Sequence, residues 1–317
     1  MTMTSPLNST KFIKWLGEEA PVIARIYTVV ICFLALCNGA SAADDVCNLK
    51  VATVLDARSS DDGRLFVPAR FGGYATYLQV HTGSSWNFVE SLLVDTLKLP
   101  RKPLRTITFV NALGDKFKDY VSVPQFKLGT LAFAGETDFI IEASDGDIDT
   151  SKYGGTLGIG MLSSYDVEID NTAKRVTLWR PDIFCSGRLV RWAETWTEIR
   201  FDLNNEIPIL RVQVNGENLR ASVNTATTYS SMDLDTARNR FGITPQSPGV
   251  RQVRDGVYMY TFNTLNVSGL TFTNVEVVLR DFQDLQFSLG MNVLKQLHLY
   301  FAFKRKIIYA TRIDPAR

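Results

Sequence analysis

One pattern recurs twice along this chain and limits what it can fold into. An alternating apolar strand turns through two small residues, returns as a second apolar strand and ends in a short triplet. In the second half, Leu210, Val212 and Val214 alternate with Arg211, Gln213 and Asn215, and Asn215-Gly216 turns into Leu219-Arg-Ala-Ser-Val223, which delivers Asn224-Thr225-Ala226. In the first half, Leu65-Phe-Val-Pro-Ala-Arg-Phe71 turns at Gly72-Gly73 into Tyr74-Ala-Thr-Tyr-Leu-Gln-Val80 and delivers His81-Thr82-Gly83. From the second turn residue to the triplet the spacing is 8 in both copies (81 minus 73, 224 minus 216).

A second matched pair follows each triplet. Thr156-Leu-Gly-Ile-Gly-Met-Leu162 runs into Tyr165–Ile169 and Arg175–Leu178, and Ser288-Leu-Gly-Met-Asn-Val-Leu294 runs into Leu297–Phe301 and Ile307–Ala310, so that Gly158 and Gly290 align without gaps. Gly155, Gly158 and Gly160 lack the spacing of a dinucleotide fingerprint and lead into a strand, which rejects that reading. Between the two signatures each half carries a hairpin. Gly114-Asp115 lies between Thr106–Val110 and Tyr120–Val123, and Asp255-Gly256 precedes Val257–Phe262; these turns are predicted flap tips. Short helices are predicted at Phe88–Leu97 and Asp233–Arg240, and Pro181–Glu198 reads as an irregular joining segment.

These segments are short, alternating and bounded by turn residues, so the prediction is an all-β, two-lobed fold with a few short helices. The expected division is an N-terminal segment 1–43, a first lobe 44–182, a linker 183–199 and a second lobe 200–317. With 317 residues, 45% hydrophobic residues and a formal net charge of +1, the chain can bury an ordinary core and shows no electrostatic bias toward nucleic acid.

The N-terminal segment stands apart. Lys11, Lys14 and Arg25 precede the apolar run from Ile26 to Cys37, and Ala40-Ser41-Ala42 supplies the small residues of a cleavage site. The pattern predicts export to the periplasm or the medium. A permanent anchor is the alternative, although a spanning helix needs about 20 apolar residues; contact with a membrane is expected through this segment alone, and only if it is not cleaved. Removal of the segment leaves Cys47 and Cys185 as the remaining cysteines, predicted to form a disulfide, with two buried free thiols as the alternative. Two distant histidines and no cysteine cluster supply no metal site, and no cofactor is expected.

The order of strand, triplet, helix, flap hairpin, apolar-apolar-Gly and closing strand pair resembles the retropepsin-like aspartic proteases. Because it occurs twice, the chain is similar to a fused two-lobed, pepsin-like member over roughly residues 60 to 312. The resemblance rests on Val80-His-Thr-Gly-Ser-Ser85 and Val223-Asn-Thr-Ala-Thr-Thr228, with Leu157-Gly158 and Leu289-Gly290 in support. It implies that Thr82 and Thr225 hydrogen-bond across the paired triplets, that Gly83 and Ala226 hold the tight turns, and that Ser84 and Thr227 support them. It also implies an Asp at positions 81 and 224, where this chain has His and Asn.

That reaction needs two carboxylates sharing a proton, one taking a proton from water and the other giving one to the scissile carbonyl. Asn224 cannot accept a proton, and His81 would face an amide rather than an acid. The expectation is therefore a pseudoprotease whose interlobe cleft binds an extended peptide or protein segment. The alternatives are a peptidase of altered mechanism, in which Asp115 orients His81 or Ser84 or Ser85 acts as nucleophile, and a structural domain with a vestigial cleft. His298, aligned with Asp166 on an alternating strand, reads as an ordinary residue.

Overall fold

The computed structural model describes residues 46–104, 109–110 (backbone alone), 116–144, 148–282 and 285–313, and from Val46 onward the chain packs as one unit. The fold is all-β with short helices at Ser91–Thr96, Ile159–Leu162, Leu234–Phe241 and Met291–Leu294.

The alternation that marks each hairpin is the physical reason for it. In Ile207–Val214, Leu210, Val212 and Val214 are buried while Arg211 and Gln213 face solvent, so one sheet face joins the core. The turn is closed by Asn215 (φ 44°) and Gly216 (φ 88°). Both residues therefore sit in the left-handed region that the tight hairpin requires.

The two lobes repeat one pairing scheme. In the first, Leu65–Phe71 pairs antiparallel with Tyr74–His81, and Gly155–Gly158 returns parallel to the latter with Gly158 level with His81. Phe88–Glu90 then runs antiparallel to Gly155–Gly158 and parallel to Glu136–Glu142. In the second, Ile207–Val214 pairs with Glu217–Val223, and Phe287–Leu289 returns parallel to it with Leu289 level with Val223. Ser230–Asp233 runs antiparallel to Phe287–Leu289 and parallel to Leu270–Arg280.

The closing strands of the two copies meet. Asp166–Asp170 pairs antiparallel with Leu297–Ala302, setting Val167 against Phe301 and Ile169 against Leu299. Arg175–Arg180 and Lys50–Asp56 extend this shared sheet on one side, and Ile307–Arg312 and Thr197–Asn204 extend it on the other. One face of it packs on a core that runs through both lobes. A smaller aromatic cluster, built on Tyr300, Tyr309, Trp192 and Trp196, lies with the expected disulfide, which joins Cys47 to Cys185 with 5.9 Å between Cα atoms.

Local expectations need two corrections. Phe88–Glu90 is a strand, and the helix begins at Ser91; the β-branched Val89 is fully buried between the two strands that flank it, and that pairing outweighs the helical spacing. The irregular segment ends earlier than predicted, because Thr197 and Glu198 already pair with Ala310 and Tyr309.

Candidate functional site

The two triplets lie side by side, held by reciprocal hydrogen bonds. The Thr82 hydroxyl donates to the Val223 carbonyl at 2.7 Å and accepts from the Thr225 N–H at 3.2 Å. The Thr225 hydroxyl donates to the Val80 carbonyl at 2.7 Å and accepts from the Thr82 N–H at 3.1 Å. Both threonines are buried, so each hydroxyl is fully used where water cannot replace a lost partner.

A second ring of contacts repeats the symmetry. The Thr228 hydroxyl donates to Asp62 Oδ2 at 2.6 Å, and the Ser85 hydroxyl donates to the Asn205 carbonyl, so each triplet loop is clamped by a loop of the opposite lobe. Burial pushes the Asp62 carboxyl up, but hydrogen bonds from Ser60, Thr228 and Arg64 outweigh it and hold the carboxyl well below the usual range. Gly158 and Gly290 form the backs of the two triplet loops. A Cβ at Gly158 would lie 2.2 Å from the Trp86 carbonyl oxygen, and one at Gly290 would lie 2.3 Å from the Tyr229 carbonyl carbon. Trp86 and Tyr229 follow their triplets at the same offset (86 minus 81, 229 minus 224) and are 46% and 37% exposed.

The positions that would carry chemistry differ in kind. Asn224 Oδ1 accepts from the Ala226 N–H at 2.9 Å, and the rest of its side chain lies over Gly83, where an added Cβ would sit 2.6 Å from its Cγ. Its amide oxygen is thus committed to its own turn. His81 is half-buried, its Nδ1 is closed off with no hydrogen-bond partner among the described residues, and burial pushes the imidazole down to about 4. At neutral pH it is an uncharged ring, and among the described residues no carboxylate pairs with it.

The other predicted site residues are placed as follows. Ser84 Oγ donates to the Trp86 carbonyl and accepts from the Trp86 N–H, so its hydroxyl serves the turn, as does that of Thr227, which reaches the Asn224 carbonyl at 3.5 Å. Asp255-Gly256 closes a hairpin between Arg251–Arg254 and Val257–Val267, but Tyr258 is already paired with Leu279, so this hairpin barely overhangs its sheet. The first-lobe hairpin, Phe109–Val110 against Lys116–Phe117, lies beyond the last rung of the neighbouring sheet, Asp119 against Pro103, and Phe117 packs on Phe88 with ring centroids 5.0 Å apart. Gly114 and Asp115 lie outside the described residues.

His298 is not a surface residue of its strand. It stacks on Trp192, a member of the aromatic cluster, at 3.9 Å between centroids and meets Glu168 Oε1 at 2.9 Å. Sequence reasoning missed Asp62, Asn205 and Gln79, whose Nε2 donates to the Ala226 carbonyl at 3.2 Å. A signal existed for the first two: Asp62 and Asn205 each sit in the polar turn just before the hairpin of their lobe.

No protein-family model matches the chain, and no curated protein matches it in sequence. Among solved structures it is similar to basic 7S globulin from soybean, with 10% sequence identity, a TM-score of 0.49, and coverage of 81% of this chain and 94% of that one.

Proposed function

We propose that this chain is an exported, catalytically inactive relative of the pepsin-like aspartic proteases that holds an extended peptide between its lobes. One observation carries the reading. The frame that sets the two positions side by side holds four reciprocal threonine contacts, while the groups themselves are an amide bonded to its own turn and a neutral imidazole whose Nδ1 has no partner among the described residues. A buried polar lattice of this kind is costly if left half-satisfied. Its completeness favours a cleft that is maintained over one that is decaying.

The serine rescue finds little support. Ser84 and Ser85 spend their hydroxyls on the Trp86 and Asn205 carbonyls, and a base that stays uncharged down to about pH 4, with no carboxylate partner among the described residues, is poorly placed to activate either one. Asp115, the partner in the other rescue chemistry, lies outside the described residues. A cleft between lobes can still hold an extended segment through main-chain hydrogen bonds. The disulfide supports a location outside the reducing cytosol, the periplasm or the medium, and no helix among the described residues is long and apolar enough to cross a membrane.

The test uses the chain from residue 44. Between acidic and neutral pH it cleaves no unfolded protein, while extended peptides raise its melting temperature by linkage. Hydrolysis that disappears in His81→Ala overturns the inactive reading, and no thermal shift across a diverse peptide library overturns the binding reading. The double substitution His81→Asp with Asn224→Asp gains weak, pepstatin-sensitive proteolysis, because the four threonine contacts hold the two positions side by side.

A further inference from the structure

The joining segment carries a feature that the cleft does not use. Ile183 and Phe184 are 64% and 90% exposed, the two most exposed large apolar side chains among the described residues. They are held out by an ordered turn: Asp182 Oδ1 accepts from the Phe184 N–H at 3.0 Å and from the Cys185 N–H at 3.1 Å, and the next side chain is fixed by the disulfide to Cys47. The chain thus keeps an isoleucine and a phenylalanine in water where a polar pair would serve the turn equally well.

Their surroundings are basic. Lys50 and Arg180 are exposed cross-strand partners beside the disulfide. Arg191 donates to the Cys47 carbonyl and Arg305 to the Cys185 carbonyl, which brings two guanidinium groups to the same staple. On the joining segment itself the acidic groups are Asp182, engaged in the turn, and Glu194, paired with Arg188 at 3.6 Å. Covalent order adds a further point, since Val46 follows the apolar run that ends at Cys37 by 9 residues (46 minus 37).

We propose that the Ile183–Phe184 turn docks on an anionic lipid bilayer, its two side chains entering the headgroup region while Lys50, Arg180, Arg191 and Arg305 meet the lipid phosphates. A two-residue apolar tip is far smaller than the roughly 800 Å² per partner of a stable protein interface. An apolar tip with basic residues around its disulfide instead has the composition of an interfacial membrane contact, in which nearby cations strengthen attachment to an anionic surface. Membrane attachment needs two such signals to be stable. With the apolar run retained, the turn is the second signal; with the run removed, the turn and these basic residues bind reversibly.

The experiment is flotation of the chain from residue 44, which contains the whole described core, with vesicles of phosphatidylcholine alone or mixed with phosphatidylglycerol. The wild type floats with the mixed vesicles, and Ile183→Ser with Phe184→Ser lowers the bound fraction on the order of tenfold or more. Because both side chains are exposed, the double variant keeps the wild-type melting temperature, which separates lost docking from lost folding. The proposal is overturned if the wild type stays unbound, if the double variant floats equally well, or if the turn instead joins two copies of the chain, read as a dimer that the double variant converts to monomer.

Discussion

The two triplets are built alike and occupied differently. Each ends a strand parallel to an apolar-Gly segment, each donates a threonine to the opposite lobe, and each is clamped by a polar loop of the opposite lobe. Yet the first carries a half-buried neutral imidazole, and the second carries an amide that accepts from the N–H of its own turn and lies over the glycine of the first. The side chains that hold the backbone in place share a twofold relation, whereas those at positions 81 and 224 do not. Scaffold and site are therefore separable, and substitutions can ask how far.

The largest expected effects fall where the two halves agree. Gly158→Ala and Gly290→Ala each drive a methyl to within about 2.3 Å of buried backbone, at the Trp86 and Tyr229 carbonyls respectively. Neither contact can yield by a rotamer change, so each substitution costs more than about 3 kcal/mol and lowers the denaturation midpoint in urea without changing its slope. If one tolerates alanine and the other does not, the lobes differ in rigidity and the symmetry is only apparent.

Next in size is an effect confined to one triplet. The His81 imidazole is pushed from 6.5 to about 4 by burial, so between these pH values the unfolded chain binds a proton that the folded chain refuses. Stability therefore rises with pH through this window and is lost as pH falls from 6.5 to 4, by up to about 3 kcal/mol. Asp166 works in the opposite sense: burial, partly offset by the Tyr300 hydroxyl, pushes it up to about 6 from 3.8, so its contribution is full below 3.8 and declines as pH rises through 6. The separable quantity is the stability difference between wild type and His81→Gln. It shrinks or reverses as pH falls from 7 to 4, while the difference for Asn224→Ala stays flat because the amide does not titrate.

The threonines give a smaller effect and test the coupling directly. Thr82→Val and Thr225→Val each remove a hydroxyl with two buried partners across the lobes, costing about 2–3 kcal/mol. The double variant costs less than the sum of the singles, because each hydroxyl accepts from the other threonine's N–H and the pair is one network. Additive costs would show two independent grips.

Much of this fold was readable from the chain because its signals are local. Asn215-Gly216 and Gly72-Gly73 mark turns through backbone conformation alone, and period-two alternation marks which face of Ile207–Val214 is buried. The site was readable in its frame for the same reason, since the threonines and glycines recur at fixed offsets. What escaped notice depends on contacts between the copies. Nothing near Asp62 in sequence announces Thr228, which lies 166 residues away, and nothing near His298 announces Trp192 stacked against it. The strand at Phe88 was missed because its partners, Glu136–Glu142 and Gly155–Gly158, arrive much later in the chain and override the local helical spacing.

The smallest expected effect separates the triplets most finely. Gly83 has no room for a side chain because Asn224 lies over it, with a Cβ at Gly83 falling 2.6 Å from Asn224 Cγ, whereas the matching position of the second triplet already carries Ala226. Ala226→Gly removes one methyl and loosens the unfolded chain, changing stability by about 0.4–1 kcal/mol. Gly83→Ala is costlier alone, but it becomes tolerable together with Asn224→Gly, which removes the side chain it strikes. The melting temperatures of the four proteins in that cycle check the point. If Gly83→Ala is equally damaging with and without Asn224, the obstacle lies in the first lobe itself; if the second change relieves it, the Asn224 amide is what forces glycine on its neighbour, and the Gly/Ala difference between the triplets is a consequence of the His/Asn difference.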